Sequence, residues 1–268
     1  MSAPEAETLD VAAMLRDSVR GLLDEHWRTS DAGGAESDAK MSAVWSGLVQ
    51  QGIAVLGADE GQGGLREILV VMEELGRAAC PAPLWSTALA NLVLSNASSD
   101  IARELREAVH DGTARVAFSF GALDPDRGIG SIAVRDQEAT GSLRFVEAAG
   151  SATHLLVPVS ASQLLLVDLG GSSVGRTPTR AMGAWGAWEL VLDKTPASSF
   201  RAGDINIDEL RTIARTMLLA RAHGAARLQP LAEVRQRAVD VRVFPRVGIE
   251  REIDAAHPIA PCGIRIRA

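Results

Sequence analysis

The middle of the chain, residues 113–200, alternates short apolar segments with turn-forming residues, and this pattern constrains the fold more than any other feature of the sequence. Glycine, proline and aspartate separate the apolar segments, as in residues 124–128 and 170–171. Short strands at a spacing of roughly 8–12 residues are typical of a small antiparallel barrel or sandwich. The predicted strands are residues 115–120, 131–135, 143–148, 154–158, 163–169, 173–178 and 188–193.

Helical patterns flank this β module on both sides. Apolar residues recur at helical spacing before the strands and again after Glu209. The predicted order is therefore α+β: an all-α N-terminal domain (1–112), a central antiparallel β-barrel or sandwich (113–200) and a truncated C-terminal helical segment (205–268). The predicted N-terminal helices are residues 10–26, 42–51, 65–79, 84–94 and 98–110, with Thr8 or Asp10 as the N-cap of the first.

The helix that begins near Glu209 carries one continuous apolar stripe. Its small members, Ala220 and Gly224, predict tight packing against another helix, and Gly76 permits close approach on the third helix. If the chain is a truncated product, we expect the stripe to be exposed and to need a partner. The stripe comprises Leu210, Ile213, Ala214, Met217, Ala220, Gly224, Ala225, Leu228 and Leu231.

The C-terminal part of the chain is basic, although the whole chain has a net charge of −7. From residue 205 onward there are 11 arginines, no lysine and seven acidic residues. Arginine is also a good helix former, and the chain has no tyrosine and only two lysines, so a nucleic-acid partner is not expected. Pro230 should kink or end the last helix, and residues 241–268 show no period, which predicts an irregular or disordered tail.

The cysteines and the apolar segments predict a cytoplasmic protein without a membrane span. Cys80 and Cys262 form no Cys-x-x-Cys pair, and we expect both to be free thiols in a reducing compartment. The N-terminus lacks the basic and apolar regions of a secretory signal. No stretch approaches the roughly 20 apolar residues that a transmembrane helix needs.

Two local patterns resemble functional sites, but their residues indicate structural roles instead. The glycine cluster of residues 57–64 is not followed by Lys-Ser or Lys-Thr, so we expect a tight turn with positive φ at Gly63 or Gly64 rather than a phosphate loop. Glu73 and Glu74 are adjacent on a helix and point about 100° apart, so they cannot converge as a catalytic pair. We expect both to be solvated charges.

Hydrolytic and metal chemistry find no support in the sequence. It contains no Gly-x-Ser-x-Gly elbow, and no metal site is expected because the histidines lack ligand or triad spacing. They are His26, His110, His154, His223 and His257.

Several motifs resemble the acyl-CoA dehydrogenase family. In the N-terminal third these are residues 45–53 (WSGLVQQGI), 60–64 (EGQGG) and 72–83 (MEELGRAACPAP), whose order and spacing match the family's tryptophan helix, Pro-Glu-x-x-Gly-Gly turn and Glu-Glu-Leu-Gly-Arg-Ala helix. Looser matches are residues 141–146 (GSLRFV), 152–158 (ATHLLVP) and 218–226 (LLARAHGAA). The resemblance extends to about residue 231.

The resemblance implies a helical domain, a β-barrel and a C-terminal helical bundle, with FAD as cofactor and an acyl-CoA thioester as substrate. In the family a glutamate removes the α-proton, flavin N5 accepts the β-hydride, and electrons pass to an electron-transfer flavoprotein. Some members work as paired homologous subunits, of which one has a degraded site, and others as homo-oligomers.

Five cofactor-binding residues follow from the resemblance. Ser119 and Phe120 match the end of the family's first barrel strand, where a hydroxyl bonds the flavin, although the glycine-rich remainder is not kept. Phe145 and Val146 match the Trp-Ile of its Trp-Ile-Thr motif. Arg242 is a faint match to the arginine that meets the FAD pyrophosphate of a neighbouring subunit.

Two departures from the family pattern shape the functional prediction. Glu147 places a carboxylate where the family has a neutral hydroxyl, and an anion beside reduced flavin is unfavourable. No residue is assigned as the catalytic glutamate, since Glu233 is the sole acid between Glu209 and Asp240 and follows Pro230. The sequence therefore predicts a flavoprotein subunit that is not active alone. The alternative is a truncated or structural partner without FAD.

Overall fold

The computed structural model describes residues 3–31, 37–123, 129–179 and 186–228. Each predicted helix is present, but the first begins seven residues earlier than expected, so Thr8 and Asp10 lie inside it rather than at its cap. Ser99 caps the fifth helix by accepting a hydrogen bond from the Ala102 amide at 3.2 Å. The helices are α1 (Ala3–His26), α2 (Ser37–Gln50), α3 (Leu65–Arg77), α4 (Leu84–Asn96), α5 (Asp100–His110) and α6 (Ile207–Leu228).

All seven predicted strands form, and two of them are longer than the sequence indicated. The third strand starts at Glu138 and runs through Gly141, which the pattern placed in a turn. The seventh strand continues through Pro196 to Arg201. The strands are β1 (Val116–Phe118), β2 (Gly130–Arg135), β3 (Glu138–Glu147), β4 (His154–Pro158), β5 (Gln163–Asp168), β6 (Val174–Pro178) and β7 (Ala187–Arg201).

The strands form one mixed sheet in the order β1-β4-β5-β7-β3-β2, with β6 also paired to β7. The length of β7 explains this arrangement, because residues 187–196 pair with β3 and residues 197–201 pair with β5. The predicted antiparallel module is correct for every pair except β1 and β4, which are parallel. β1 pairs with a strand distant in sequence rather than with its neighbour β2, so local turn signals could not reveal its direction. The fold class is α+β, as predicted.

Strand β5 shows why some strands of the β module are apolar at every position rather than at alternate positions. Leu164 and Leu166 contribute to a core shared with the helices, whereas Leu165 and Val167 contribute to a second core inside the β module. A strand covered on both faces needs apolar residues at every position. The helices therefore pack directly on one side of the sheet.

Helices α3 and α6 cross at very short range. A Cβ atom added at Gly76 would lie 1.9 Å from the carbonyl oxygen of Arg221, and one added at Gly224 would lie 1.8 Å from that of Glu73. This confirms the predicted close approach of both glycines. The first half of the stripe on α6 is buried within the chain, since Leu210 and Met217 are fully buried, so the expectation of an exposed stripe is wrong there. Ala225, near its end, is exposed. Its members beyond Leu228, with Pro230 and the tail, lie outside the described residues.

The prediction that Glu73 and Glu74 are solvated is also wrong. Glu74 is 1% exposed and accepts hydrogen bonds from Arg20 at 2.8 and 2.9 Å and from Arg77 at 2.7 Å. Glu73 lies 2.7 Å from Arg227 on α6. Arg16 on α1 lies near both carboxylates, at 3.7 Å from Glu73 and 3.3 Å from Glu74. Glu74 therefore joins α3 to α1, and Glu73 joins it to both α1 and α6. They are structural ion pairs.

The glycine cluster before α3 forms the predicted turn. Gly63 has φ +88° whereas Gly64 has φ −108°, so the positive φ falls on the first of the two candidates. The Gly64 amide donates to the Glu67 carboxylate at 2.8 Å, which caps α3.

Candidate functional site

Ser119 and Phe120 follow β1 and are held in different surroundings. Ser119 is buried, and its hydroxyl accepts a hydrogen bond from the Gly121 amide at 3.2 Å. A hydroxyl in this position retains its own O–H for donation. The Phe120 ring lies 5.0 Å from that of Phe118, and the Arg211 guanidinium on α6 lies 5.8 Å from its centroid. The structure thus places Phe120 between the sheet and α6.

Phe145 lies at an irregularity in β3. The register with β7 shifts between Leu143 and Val146, and Phe145 has φ +59°. Its side chain is 49% exposed, and the Arg144 guanidinium lies 5.3 Å from the ring centroid. A bulky residue at positive φ is an energetic outlier, and such outliers cluster at functional sites. Phe145 is therefore a strained residue that presents an aromatic ring to the surroundings.

Val146 turns the other way. It is 1% exposed and belongs to the core inside the β module, opposite Trp188 on β7. The bulge therefore separates two neighbours that the resemblance treated as a pair. Phe145 is 49% exposed with the Arg144 guanidinium 5.3 Å from its ring centroid, and Val146 anchors the strand beneath it.

The end of β1 and the bulge of β3 lie side by side. A Cβ atom added at Gly121 would lie 3.1 Å from Cδ2 of Leu143, and the Arg144 amide donates to the Ile129 carbonyl at 2.7 Å. The fold thus brings together the segment of Ser119 and Phe120 and the strand of Phe145, which the resemblance predicted to bind the cofactor. We call this region, formed by residues 119–121 and 144–145, the ring face.

The turn that follows the ring face is clamped from β6. The Arg176 guanidinium donates to the carbonyl oxygens of Ala149 and Gly150, each at 3.1 Å, and also to that of Leu169. Three carbonyl acceptors satisfy most of one guanidinium fork. The strained bulge therefore continues into a fixed turn.

Glu147 is paired with a residue that sequence reasoning did not connect to it. Its Oε1 lies 2.6 Å from Nη1 of Arg221 on α6, and Nη2 of Arg221 donates to the Cys80 carbonyl at 3.4 Å. The side chains of Glu147 and Arg221 are 17% and 21% exposed. The carboxylate that the sequence analysis treated as an isolated anion is therefore neutralised. Since 74 residues separate the two, no local signal could have revealed the pair.

Among the residues that the structure describes, the other titratable groups do not converge into a second site. Burial raises the pKa of the Cys80 thiol to about 12, so it is an unreactive core residue. Burial also lowers the pKa of His154, whose Nδ1 lies 2.9 Å from the Thr153 hydroxyl. Within the described ranges, no cluster of three or more His, Cys, Asp or Glu residues could hold a metal ion.

Arg242 and Glu233 lie outside the described residues, so Arg242 stays a prediction. In the part of the chain that the structure describes, no helix is both long and apolar enough to cross a membrane.

The residues of the ring face fit the ring of a flavin. The Phe145 ring and the Ser119 hydroxyl are groups that suit a large planar ring with polar edges, and they lie on segments that contact each other through Gly121 and Leu143. The described residues offer no comparable cradle for a pyrophosphate, because the glycine-rich segment after β1 is not kept. The fit therefore concerns the ring and not the whole cofactor.

The order of helical domain, mixed sheet and following helix is the fold of acyl-CoA dehydrogenases, and the resemblance to that family predicted from the sequence is confirmed. The acyl-CoA dehydrogenase IpdE2 of Mycobacterium tuberculosis is 37% identical over 125 residues, which is 42% of this chain and 36% of that protein. The chain thus matches little more than a third of the length of this curated relative. No protein-family model matches the sequence.

Solved structures extend the likeness of fold over most of the chain. The Tcur3481-Tcur3483 steroid ACAD aligns with a TM-score of 0.66 and 23% identity, over 89% of this chain and 68% of that one. The ChsE4-ChsE5 complex from Mycobacterium tuberculosis aligns with a TM-score of 0.61 and 18% identity, over 91% and 69%. At these identities the likeness is one of fold.

Proposed function

We propose that the chain is an acyl-CoA dehydrogenase-like subunit that binds FAD and acts with a second, homologous subunit. The observation that carries this proposal is Phe145, an aromatic residue held at φ +59° with half of its side chain exposed, on the strand that contacts the segment after β1. Backbone strain of this kind costs about 1–3 kcal/mol and persists where the surrounding structure enforces it. We propose that the strain is retained because it presents the Phe145 ring to a ligand ring.

The chain's own residues would hold the flavin ring and exclude water from one side of it. Phe145 supplies the aromatic contact, and the Ser119 hydroxyl supplies a hydrogen-bond donor. The Arg221 guanidinium compensates the charge of Glu147, and Arg144 adds a positive charge 5.3 Å from the Phe145 ring centroid. FAD, when bound, supplies the two-electron acceptor for oxidation of the substrate.

The catalytic base is proposed to come from the partner subunit. Between Glu209 and the end of α6 at Leu228 the sequence contains no acidic residue, so α6 offers no carboxylate beyond its first turn. General-base catalysis requires a group within hydrogen-bond reach of the proton that it removes. A homologous subunit with its own glutamate meets that requirement, and an electron-transfer flavoprotein would then accept the electrons. The assembly is proposed to be cytoplasmic.

The proposed substrate is an acyl-CoA thioester, and steroid-derived thioesters are the first to test. This choice is supported by the steroid ACAD named among the structural relatives.

Co-purification with a homologous acyl-CoA dehydrogenase subunit tests the proposal. The complex, isolated through a tag on this chain, is expected to lose absorbance at about 450 nm when a steroid-derived acyl-CoA is added without air, because the flavin becomes reduced. The matched control is the complex containing Phe145→Ala, which should retain less flavin. A complex that contains one flavin for each partner subunit and none for this chain, with the same flavin content after Phe145→Ala, would refute flavin binding by this chain.

The alternative is a structural partner without FAD. The contacts of Phe120 with Phe118 and Arg211 favour it, because they occupy a ring that the resemblance assigned to the cofactor. Under this alternative the chain stabilises the partner subunit, and the complex contains one flavin for each partner subunit and none for this chain.

A further inference from the structure

The ion pair between Glu147 and Arg221 joins the ring face to α6. Glu147 is the last residue of β3, two positions after Phe145, and its Oε1 lies 2.6 Å from the Arg221 guanidinium. Both side chains are largely shielded from solvent. In such surroundings an uncompensated charge acts on its neighbours with little screening.

The position of Arg221 is set by the helix crossing rather than by the ion pair. Its carbonyl oxygen lies against Gly76, where a Cβ atom would come within 1.9 Å. One turn further along α6, Gly224 lies equally close to Glu73. The α6 backbone is therefore fixed against α3 at Arg221 and one turn beyond it. The guanidinium reaches from this fixed point to Glu147 and to the Cys80 carbonyl.

We propose that Arg221 is a positioning residue for flavin binding, which rests on the proposed function. It cancels the charge of Glu147 and holds the end of β3 against α6, so that the strained ring face keeps its shape. Without Arg221, the carboxylate would lose this partner two residues from Phe145, the proposed ring contact, and its repulsion would grow when the flavin gains electrons. The role belongs to Arg221 because its backbone is fixed against α3.

A double-mutant test separates this role from general stability. FAD affinity is measured by flavin fluorescence quenching on the full chain, co-expressed with a homologous subunit. Arg221→Met should weaken FAD binding by about tenfold or more, as expected for a shielded charge left without its partner. Adding Glu147→Thr to Arg221→Met should restore most of the affinity, because the uncompensated anion is then removed. Arg215→Met, at an exposed position on the same helix, should have no effect.

The reduction potential of the bound flavin provides a second readout. Arg221→Met should shift it to a lower value, because the unpaired anion disfavours reduction, and the double variant should return it towards that of the unaltered chain. If Arg221→Met and the unaltered chain had equal FAD affinity and equal flavin reduction potential, the role of Arg221 would be overturned while the proposed function would stand. The same conclusion would follow if the double variant bound FAD as weakly as Arg221→Met. A chain that binds no FAD, alone or with its partner, would overturn the proposed function and this inference together.

Discussion

Gly76 and Arg221 face each other across the crossing of α3 and α6 so closely that no side-chain atom fits between them. The contact is between backbones, and it fixes where the Arg221 side chain begins. Because α3 also carries the buried Glu74, this crossing links the helical core to the residue that neutralises Glu147 on β3.

Gly76→Ala should lower the free energy of unfolding by about 2–3 kcal/mol, because a methyl group at this position overlaps backbone and forces the helices apart. Urea denaturation measures the change. The matched control is Gly21→Ala on α1, where no atom lies within 4 Å of the added Cβ. That change should raise the free energy of unfolding by about 0.5–1 kcal/mol through helix propensity. Similar effects of the two substitutions would contradict the close crossing.

Glu74 should make the stability of the chain pH-dependent. Burial acts to raise the pKa of Glu74, but the hydrogen bonds from Arg20 and Arg77 outweigh it and leave this pKa below its usual value. The folded state therefore favours the carboxylate, and the stabilisation is present above the unfolded pKa and lost as the pH falls through the folded one. Glu74→Gln should cost on the order of 2 kcal/mol at neutral pH, as expected for hydrogen bonds to a charged group.

Urea titrations between about pH 7 and pH 3.5 check this linkage. The difference in free energy of unfolding between the unaltered chain and Glu74→Gln should shrink as the pH falls. Glu104→Gln, at an exposed position on α5, serves as the control and should follow the unaltered chain. A difference independent of pH would show that Glu74 contributes through packing rather than through its charge.

Phe145→Gly should separate stability from function. Phe145→Gly and Phe145→Ala both remove the ring, but only glycine adopts positive φ without strain, so Phe145→Gly should be more stable than Phe145→Ala by about 1 kcal/mol. The loss of the aromatic ring should weaken FAD binding in both. Thermal denaturation and a flavin titration measure the two effects. Val191→Gly is the control, since Val191 is 50% exposed on β7 and is not among the positive-φ residues, and it should destabilise the chain. A Phe145→Gly chain no more stable than the Phe145→Ala chain would contradict the strain.

Cys80 should be inert in the native state. Its pKa is raised to about 12 by burial, so almost no thiolate exists near neutral pH. In a Cys262→Ser background, a thiol reagent should modify Cys80 only after denaturation, and mass spectrometry reports the extent. Rapid modification of the folded chain would show that the core beneath α3 opens.

The sequence predicted the elements of the fold better than their contacts. Helices and strands follow from the spacing of apolar residues, which is local information. The parallel pairing of β1 with β4 depends on residues 38 positions apart, such as Val116 and His154, and has no local signature. The burial of Glu74 was missed because an acidic pair on a helix normally faces solvent, and its partner Arg20 lies 54 residues away.

The candidate site was predictable in part. The resemblance located Phe145 but gave no sign of its positive φ, which arises from the register shift against β7. It also paired Phe145 with Val146, although the bulge turns Val146 into the core. The partnership of Glu147 with Arg221 required the three-dimensional crossing of α6. The contacts between elements distant along the chain could not be predicted from local sequence patterns.

The absorbance spectrum of the purified full chain between about 350 and 500 nm, alone and co-expressed with a homologous subunit, tests the central claim most directly. Flavin in excess of one per partner subunit, lowered by Phe145→Ala, is the result that the proposed function predicts. A spectrum without flavin for this chain in both preparations would contradict it and would favour the structural partner.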